Sequence, residues 1–305
     1  MVTALNLSLC AFLFAEDSST TISLPQGFDA SLCRQEISAE DEEFLAAHLK
    51  EIVPSGIIEY DPETGAVRLD YTLGEDVKKD AKVVVKNEKH IRYKLPVVGR
   101  DRSRDLSHEE KRNLAPFSFE ANTEGTVTFP VPLRCWARAD YFLRIRYLDR
   151  TNSFRQLVMF KPENNAGYVA EWLGAGVQSG EDPPKLSTKG LPPRFLRSSQ
   201  EWFNKVREVP MRVEFSLTDP GKKDRDGSTP GVFVVHYDLD GDEAQSNRVA
   251  YEKAPHESGY VGFSWSRVRF YISGLVITGL LDKKEAVTLL RKKLDTGKAK
   301  EARKE

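Results

Sequence analysis

The acidic stretch DLDGDE, which begins at Asp238, places carboxylates at alternating positions. Carboxylate oxygens at Asp238, Asp240 and Asp242 could together hold a calcium ion. An EF-hand loop starting there would need glycine at its sixth position and glutamate at its twelfth, but Glu243 and Val249 occupy those positions. The stretch is therefore interpreted as an Asp-Gly turn between two strands, with a calcium site as the alternative and no other cofactor expected.

The common catalytic motifs are missing from the sequence. Its five histidines are scattered, without the HExxH or HxH spacing of zinc sites, and no CxxC pair exists. No GxSxG elbow is present, and the glycine-rich GAGVQSG at 174–180 lacks the lysine and the strand–helix context of a phosphate loop. Whether the protein is an enzyme stays open on this evidence.

The elements that would position functional groups are mostly strands. From residue 116 onward, short runs rich in Val, Phe, Tyr and Ile alternate with Gly, Pro, Asp and Asn, and no helices alternate with them. The sequence predicts a mainly β fold, a two-sheet antiparallel jelly-roll sandwich with short N-terminal and C-terminal helices. One helix is predicted at 38–53, with Ser38 as its N-cap, and another at 282–294.

Four predicted strands, at 141–147, 211–217, 232–239 and 267–272, have one apolar and one polar face. Successive side chains of a strand point to opposite faces, so the apolar faces should pack against a second sheet. If the four strands are neighbours, their polar faces form one surface that could bind a sugar or an anionic ligand; the alternative is a solvated face held by cross-strand ion pairs. The predicted ligand-binding residues are Arg144, Arg146, Arg212, Glu214, His236, Asp238 and Arg269, with Trp172 as a stacking platform.

Three segments carry a resemblance to a known superfamily: QEWFNKVREVPMRVEFSL, GVFVVHYDLDGDE and SGYVGFSWSRVRFYISGLVITGLLD. Their order resembles the C-terminal half of a concanavalin A-like (laminin G-type) jelly roll, and FLRIRYLDRTNSFRQLVMF resembles an earlier hairpin of that fold. The resemblance covers roughly 116–282 and is nearest in pattern to the bacterial secreted sugar-hydrolase-like branch. It implies a carbohydrate ligand, but the Glu-x-Asp-x-x-Glu strand of the superfamily's glucanases is missing here.

The chain is predicted to divide into a signal peptide at 1–15, a linker and short helix at 16–56, and a sandwich at 57–282. A charged insertion lies near 99–115, and a helix with a basic tail at 283–305 ends the sequence. The first fifteen residues form an apolar run that is too short to span a bilayer and fits the h-region of an export signal, although no Lys or Arg precedes it. A buried strand and a misassigned start are the alternatives to export.

Charge and cysteine content limit the partners that can be expected. The net charge of -1 gives no overall field for nucleic acid, so no nucleic-acid partner is predicted. No integral membrane span is predicted either, because the N-terminal apolar run is too short. Cys33 and Cys135 could form a disulfide after export or stay unpaired in the core. The oligomeric state is left unknown.

Three functions are compatible with these patterns. The first is an exported carbohydrate- or ligand-binding jelly roll without catalysis. The second is a sugar-active hydrolase, for which Glu214, His236 and Asp238 are the candidate groups. The third is a structural or cell-surface interaction module, which would expose a flat apolar patch.

Overall fold

The computed structural model of the chain describes most of the predicted strands and both helices. The described residues are 22–53, 57–71, 82–86, 117–119, 124–147, 153–163, 166–173, 209–219, 229–238, 244–254, 256–266 and 268–301. Their strands are β1 (Ile57–Tyr60), β2 (Ala66–Asp70), β3 (Lys82–Lys86), β4 (Phe117–Phe119), β5 (Glu124–Thr128), β6 (Leu133–Tyr147), β7 (Ser153–Lys161), β8 (Ala166–Leu173), β9 (Val209–Leu217), β10 (Thr229–Asp238), β11 (Ala244–Ala254), β12 (Ser258–Ser266) and β13 (Val268–Leu281). The predicted insertion near 99–115 lies outside the described residues.

The strands form two antiparallel sheets, as predicted. The large sheet has the order β1-β2-β13-β6-β9-β10-β11, and β4 pairs with the far end of β13. The small sheet has the order β8-β7-β12-β5-β3. They join at one corner, where Ser258 and Gly259 pair with β6. A side chain has no room there, since a Cβ at Gly259 would lie 2.3 Å from the backbone of Met159.

The core lies between the sheets and is built from the apolar faces of the strands. The predicted inward residues Leu143, Val213, Val235 and Phe270 are all buried. The ring of Phe263, on the small sheet, lies edge-on to Tyr141 of the large sheet at 5.3 Å between centroids. Burying an apolar side chain of this size contributes roughly 1.5–3 kcal/mol. The apolar faces of the strands therefore stabilise the packing of one sheet on the other.

The N-terminal helix α1 (Ala39–His48) begins as predicted. The Ser38 side chain accepts a hydrogen bond from the Asp41 N–H and so caps the first turn. The helix was predicted to run to 53 but ends at His48, and a 3-10 turn (Leu49–Ile52) follows. The prediction missed this tightening because the apolar residues continue across it.

The C-terminal helix α2 (Lys283–Glu301) is longer than predicted. It continues through Gly297 because the residues that follow, KAKE, are strong helix formers. Ala286 and Leu290 are fully buried and attach the helix to the core. Lys283 Nζ donates to Glu42 Oε1 over 2.6 Å, which joins α2 to α1.

Candidate ligand-binding face

The four amphipathic strands of the sequence prediction are neighbours in the large sheet, in the order β13-β6-β9-β10. Their outward residues pair across the strands in rows that continue to both edges of the sheet. The first row is Glu59, Arg68, Thr278, Arg138, Glu214, Val234 and Arg248, and the second row is Ile57, Asp70, Val276, Asp140, Arg212, His236 and Ser246. Residues opposite each other on neighbouring strands interact directly, so each row acts as one line of contacts.

Two ion-pair clusters lie in these rows and have opposite composition. On β1 and β2, Arg68 lies 3.2 Å from Glu59 Oε2 and 2.6 Å from Asp70 Oδ2, so two carboxylates neutralise one guanidinium. On β6 and β9, Asp140 lies 2.9 Å from Arg138 Nε and 2.6 Å from Arg212 Nε, so two guanidiniums share one carboxylate. The second cluster therefore has one positive charge in excess.

An aromatic ring lies directly beside the positive cluster. Phe142 follows Asp140 on the same face of β6, and its side chain is 46% exposed. The residues on either side of it in the strand point to the other face and are buried. Gly274 of β13 lies beneath the ring, since a Cβ built there would approach Phe142 Cδ2 to 3.1 Å. The glycine leaves space for the ring to lie on the sheet with one side open.

The other end of the β6 face is covered. Trp136 lies on the same side of the strand as Phe142 but is fully buried, with Phe28 of the N-terminal segment 6.2 Å away between ring centroids. The Trp136 Nε1–H donates to Glu214 Oε1 over 3.2 Å. The guanidinium of Arg138 lies 5.9 Å from the centre of the same ring. Glu214 is thus engaged by the covered end of the face.

His236 completes the second row beside Arg212. Burial, and then the positive charge of Arg212, lower the pKa of the imidazole, while Glu214 and Asp140 act in the opposite direction. The neutral imidazole is therefore favoured at neutral pH. In that form one ring nitrogen donates and the other accepts, which suits a ligand rich in hydroxyl groups.

No family model and no curated protein matches the chain. Several solved structures are similar to it at low identity. The lectin from Bauhinia forficata in complex with GalNAc is 11% identical over 54% of this chain and 89% of its own, with a TM-score of 0.32. Peanut lectin is 10% identical over 70% and 97%, with a TM-score of 0.36, and the carbohydrate-binding module CBM66 from Bacillus subtilis is 7% identical over 52% and 83%, with a TM-score of 0.28.

These structures are concanavalin A-like jelly rolls, the superfamily that the strand pattern resembles. At such identities and TM-scores they carry no argument about ligand or mechanism. The ligand of this chain has to be inferred from its own residues.

The structure brings together only part of the predicted ligand-binding set. Arg212, Glu214 and His236 lie side by side on β9 and β10. Asp238 is the last residue of β10 and pairs with Ala244. The other predicted residues lie outside this group.

Three predicted arginines lie farther along the sheet. Arg146 pairs with Arg269 and Arg144 with Tyr271, where β6 and β13 extend beyond the end of β9. Trp172 lies on β8 of the small sheet, opposite the buried Phe154. Its strand is therefore in the other sheet from the charged rows.

The sequence prediction missed Arg138 and Asp140 as members of this face. It began the strand at 141, whereas β6 begins at Leu133 and its first half holds both charged residues. Phe142 falls on the polar face of the predicted strand 141–147, but it was not among the predicted ligand-binding residues.

Within the described part of the chain, no group of three or more His, Cys, Asp or Glu side chains is placed to hold a metal ion. Asp240 and Asp242 lie outside it, so the calcium alternative stays a prediction. Neither described helix is long and apolar enough to cross a membrane.

Proposed function

We propose that this protein is an exported, non-catalytic binding module that holds a carbohydrate against the open half of the outer face of its large sheet. We define this open half by Phe142, Asp140, Arg212 and His236. The observation that carries the proposal is the half-exposed Phe142 ring, which lies on a face whose other outward residues are mostly charged or polar. A half-exposed aromatic ring among polar groups offers an apolar surface on which a ligand can pack.

The chemistry of the open half matches that of a sugar. Ligand sites typically combine an apolar or aromatic surface with a few polar groups that fix orientation. The apolar C–H side of a pyranose can lie on the Phe142 ring, while Asp140 accepts from hydroxyl groups and Arg212 donates to them.

The charge of the open half favours an acidic sugar. Arg212 is 48% exposed, and Asp140 is its one ion-pair partner among the described residues, through Nε. The ion pair uses Nε, and the two Nη groups of the guanidinium form a fork that matches the geometry of a carboxylate or sulfate. Since Asp140 is already shared with Arg138, a ligand carboxylate would balance the excess positive charge.

The state of the carboxylates supports binding rather than hydrolysis. A retaining or inverting glycosidase needs two carboxyl groups that face the glycosidic bond. Asp140 is held between two guanidiniums, and Glu214 accepts from the Trp136 indole. The hydrolase alternative would need one of them to leave its partner, and no contact in this region favours that.

The binding proposal can be tested by affinity electrophoresis in gels that contain polygalacturonate, alginate or neutral mannan. We expect retardation in the acidic gels, a loss of at least tenfold in affinity for Phe142→Ala, and a loss of the acidic preference for Arg212→Gln. Arg248→Gln is the matched control, because it removes one exposed positive charge from the first row two strands away. Equal migration of all proteins in every gel would reject the proposal.

Export is tested separately, because it rests only on the uncharged, apolar stretch of residues 1–15. Expression of the full chain followed by fractionation and N-terminal sequencing should give a processed protein outside the cytoplasm. An unprocessed chain that stays in the cytoplasm would leave the binding proposal intact and remove the export part.

A further inference from the structure

Two buried thiols meet where the N-terminal segment contacts the large sheet. Cys33 and Cys135 are about 100 residues apart in sequence, yet both lie in the same buried apolar cluster. Two residues after Cys33, the Gln35 side chain donates to Asp282 Oδ1 over 3.1 Å, and the Asp282 N–H donates to the Pro132 carbonyl just before the start of β6. The two cysteines are only 5% and 2% exposed, and they are not bonded to each other. The contact therefore joins two distant parts of the chain at one buried point.

The N-terminal side of the contact is held in place by its own turn. Cys33 ends the 3-10 turn Ala30–Cys33, which Asp29 caps by accepting from the Ser31 N–H over 2.9 Å. One residue before the cap, Phe28 packs on Trp136, the residue that follows Cys135. Cys33 is thus brought to its partner by contacts that do not depend on a covalent bond.

The strand side of the contact has an unusual backbone. Cys135 has a φ of 60°, in the left-handed region that non-glycine residues rarely occupy. The register of β6 against β13 shifts at this position, and the Cys135 N–H donates instead to the Glu257 carbonyl over 2.7 Å. Bulges of this kind commonly redirect a functional side chain, and the Cys135 side chain is buried here rather than solvated.

We propose that Cys33 and Cys135 are a cross-linking site, at which a small-molecule disulfide oxidises the two thiols to one internal disulfide. The bond ties the N-terminal segment to β6 over the covered end of the outer face. The proposal is independent of the carbohydrate ligand, since neither thiol belongs to the open half.

The reaction proceeds by two thiol–disulfide exchanges. One thiol loses its proton and attacks a sulfur of the small disulfide, which forms a mixed disulfide and releases one small thiol. The second thiol then loses its proton and attacks the bound sulfur of the first, which releases the second small thiol. Two electrons pass from the protein thiols to the small disulfide, whose two sulfurs leave as thiols.

The surroundings favour Cys135 as the first nucleophile. Its contact with Cys33 lowers the pKa of the Cys135 thiol, and the nearby Arg134 guanidinium acts in the same direction. The same contact, together with burial, raises the pKa of the Cys33 thiol. Since both sulfurs are buried, the reagent reaches them when the N-terminal segment opens locally, and the new bond then holds the segment closed.

The test uses the full chain with Cys10→Ser, so that Cys33 and Cys135 are the only thiols. The folded protein is incubated with oxidised glutathione and then denatured with a thiol-alkylating reagent, and the peptides are mapped by mass spectrometry. We expect a Cys33–Cys135 peptide pair, no alkylation of either residue, and a melting temperature about 10 °C above that of the dithiothreitol-treated protein.

Single variants separate the cross-link from other oxidation. Cys33→Ser and Cys135→Ser should each leave one thiol that takes up glutathione slowly and gives no melting shift on oxidation. If these variants do not fold, the comparison of oxidised with reduced Cys10→Ser protein still decides. Alkylation of both cysteines after incubation, or a cross-link that lowers the melting temperature, would overturn the proposal.

Discussion

Trp136 and Phe142 lie on the same outward face of β6, but only one of them is available to a ligand. Trp136 is fully buried under Phe28 and donates its indole N–H to Glu214, whereas Phe142 is 46% exposed. Charged residues lie between the two rings, with Arg138 nearer Trp136 and Asp140 nearer Phe142. The covered end and the open half are thus built from the same residue types.

The difference between the two ends arises from the segment that precedes the sandwich. Strand alternation determines which side chains point outward, but it does not determine what packs on them afterwards. Phe28 of the N-terminal segment covers one end of the face by packing on Trp136, and the ion pair Lys283–Glu42 joins that segment to α2. Covering converts an outward aromatic residue into part of the core, and the uncovered one stays free for recognition.

The largest effect is expected from breaking the covered end. Trp136→Ala should lower the free energy of unfolding by about 3–5 kcal/mol, because it leaves a cavity beneath Phe28 and removes the donor to Glu214. Urea unfolding followed by far-UV circular dichroism measures the change. Trp136→Phe keeps a ring and should cost much less, which separates packing from the hydrogen bond. A Trp136→Ala protein as stable as the wild type would show that Phe28 does not cover this site in solution.

The sequence was sufficient to predict the sandwich because the strand signal is strong and repeated. Alternation at 211–217 placed Val213 and Phe215 inside and Arg212 and Glu214 outside, as the structure confirms. The four amphipathic strands are neighbours in the structure. The sequence alone could not predict that they would pair with one another. Pairing between distant strands depends on the packing of the whole chain, which no short window of sequence contains.

The candidate site was harder to predict than the fold for a physical reason. Asp140 and Arg212 form an ion pair across strands that lie far apart in sequence, so neither residue signals the other. Trp172 was chosen because it adjoins a glycine-rich loop, but its strand belongs to the small sheet. Exposure depends on the covering segment, so the exposed ring had to be found in the structure.

A smaller effect on stability is expected in the open half. Phe142→Ala should lower the free energy of unfolding by about 1 kcal/mol, since half of the ring is already in water. The same urea titration measures it, with Trp136→Ala as the matched aromatic truncation on the same strand face. A cost equal to that of Trp136→Ala would mean that another part of the chain covers Phe142 and that the open half is not open.

Charge removal sharpens the comparison further. Asp140→Asn should lower the free energy of unfolding by about 0.5 kcal/mol at low salt, and less at high salt, because it leaves Arg138 and Arg212 unbalanced. Glu59→Gln is the control on the same sheet face, because Arg68 there keeps its second ion pair, to Asp70 at 2.6 Å. In the acidic gels, Asp140→Asn should bind more tightly than the wild type, and weaker binding would contradict the role assigned to Arg212.

The smallest effect is expected from the pH dependence that His236 contributes. The pKa of this imidazole is lowered from 6.5 in the folded protein, chiefly by burial and then by Arg212, so the unfolded state binds the proton more readily. The contribution is fully present above pH 6.5 and is lost as the pH falls through the folded pKa. His236→Gln should therefore reduce the loss of stability between neutral and mildly acidic pH, as measured by urea titrations.

His256→Gln is the matched control outside the open half, because burial also lowers the pKa of His256. Each variant should remove only its own share of the change in unfolding free energy with pH. An unchanged pH dependence in His236→Gln would show that the imidazole is not buried beside Arg212.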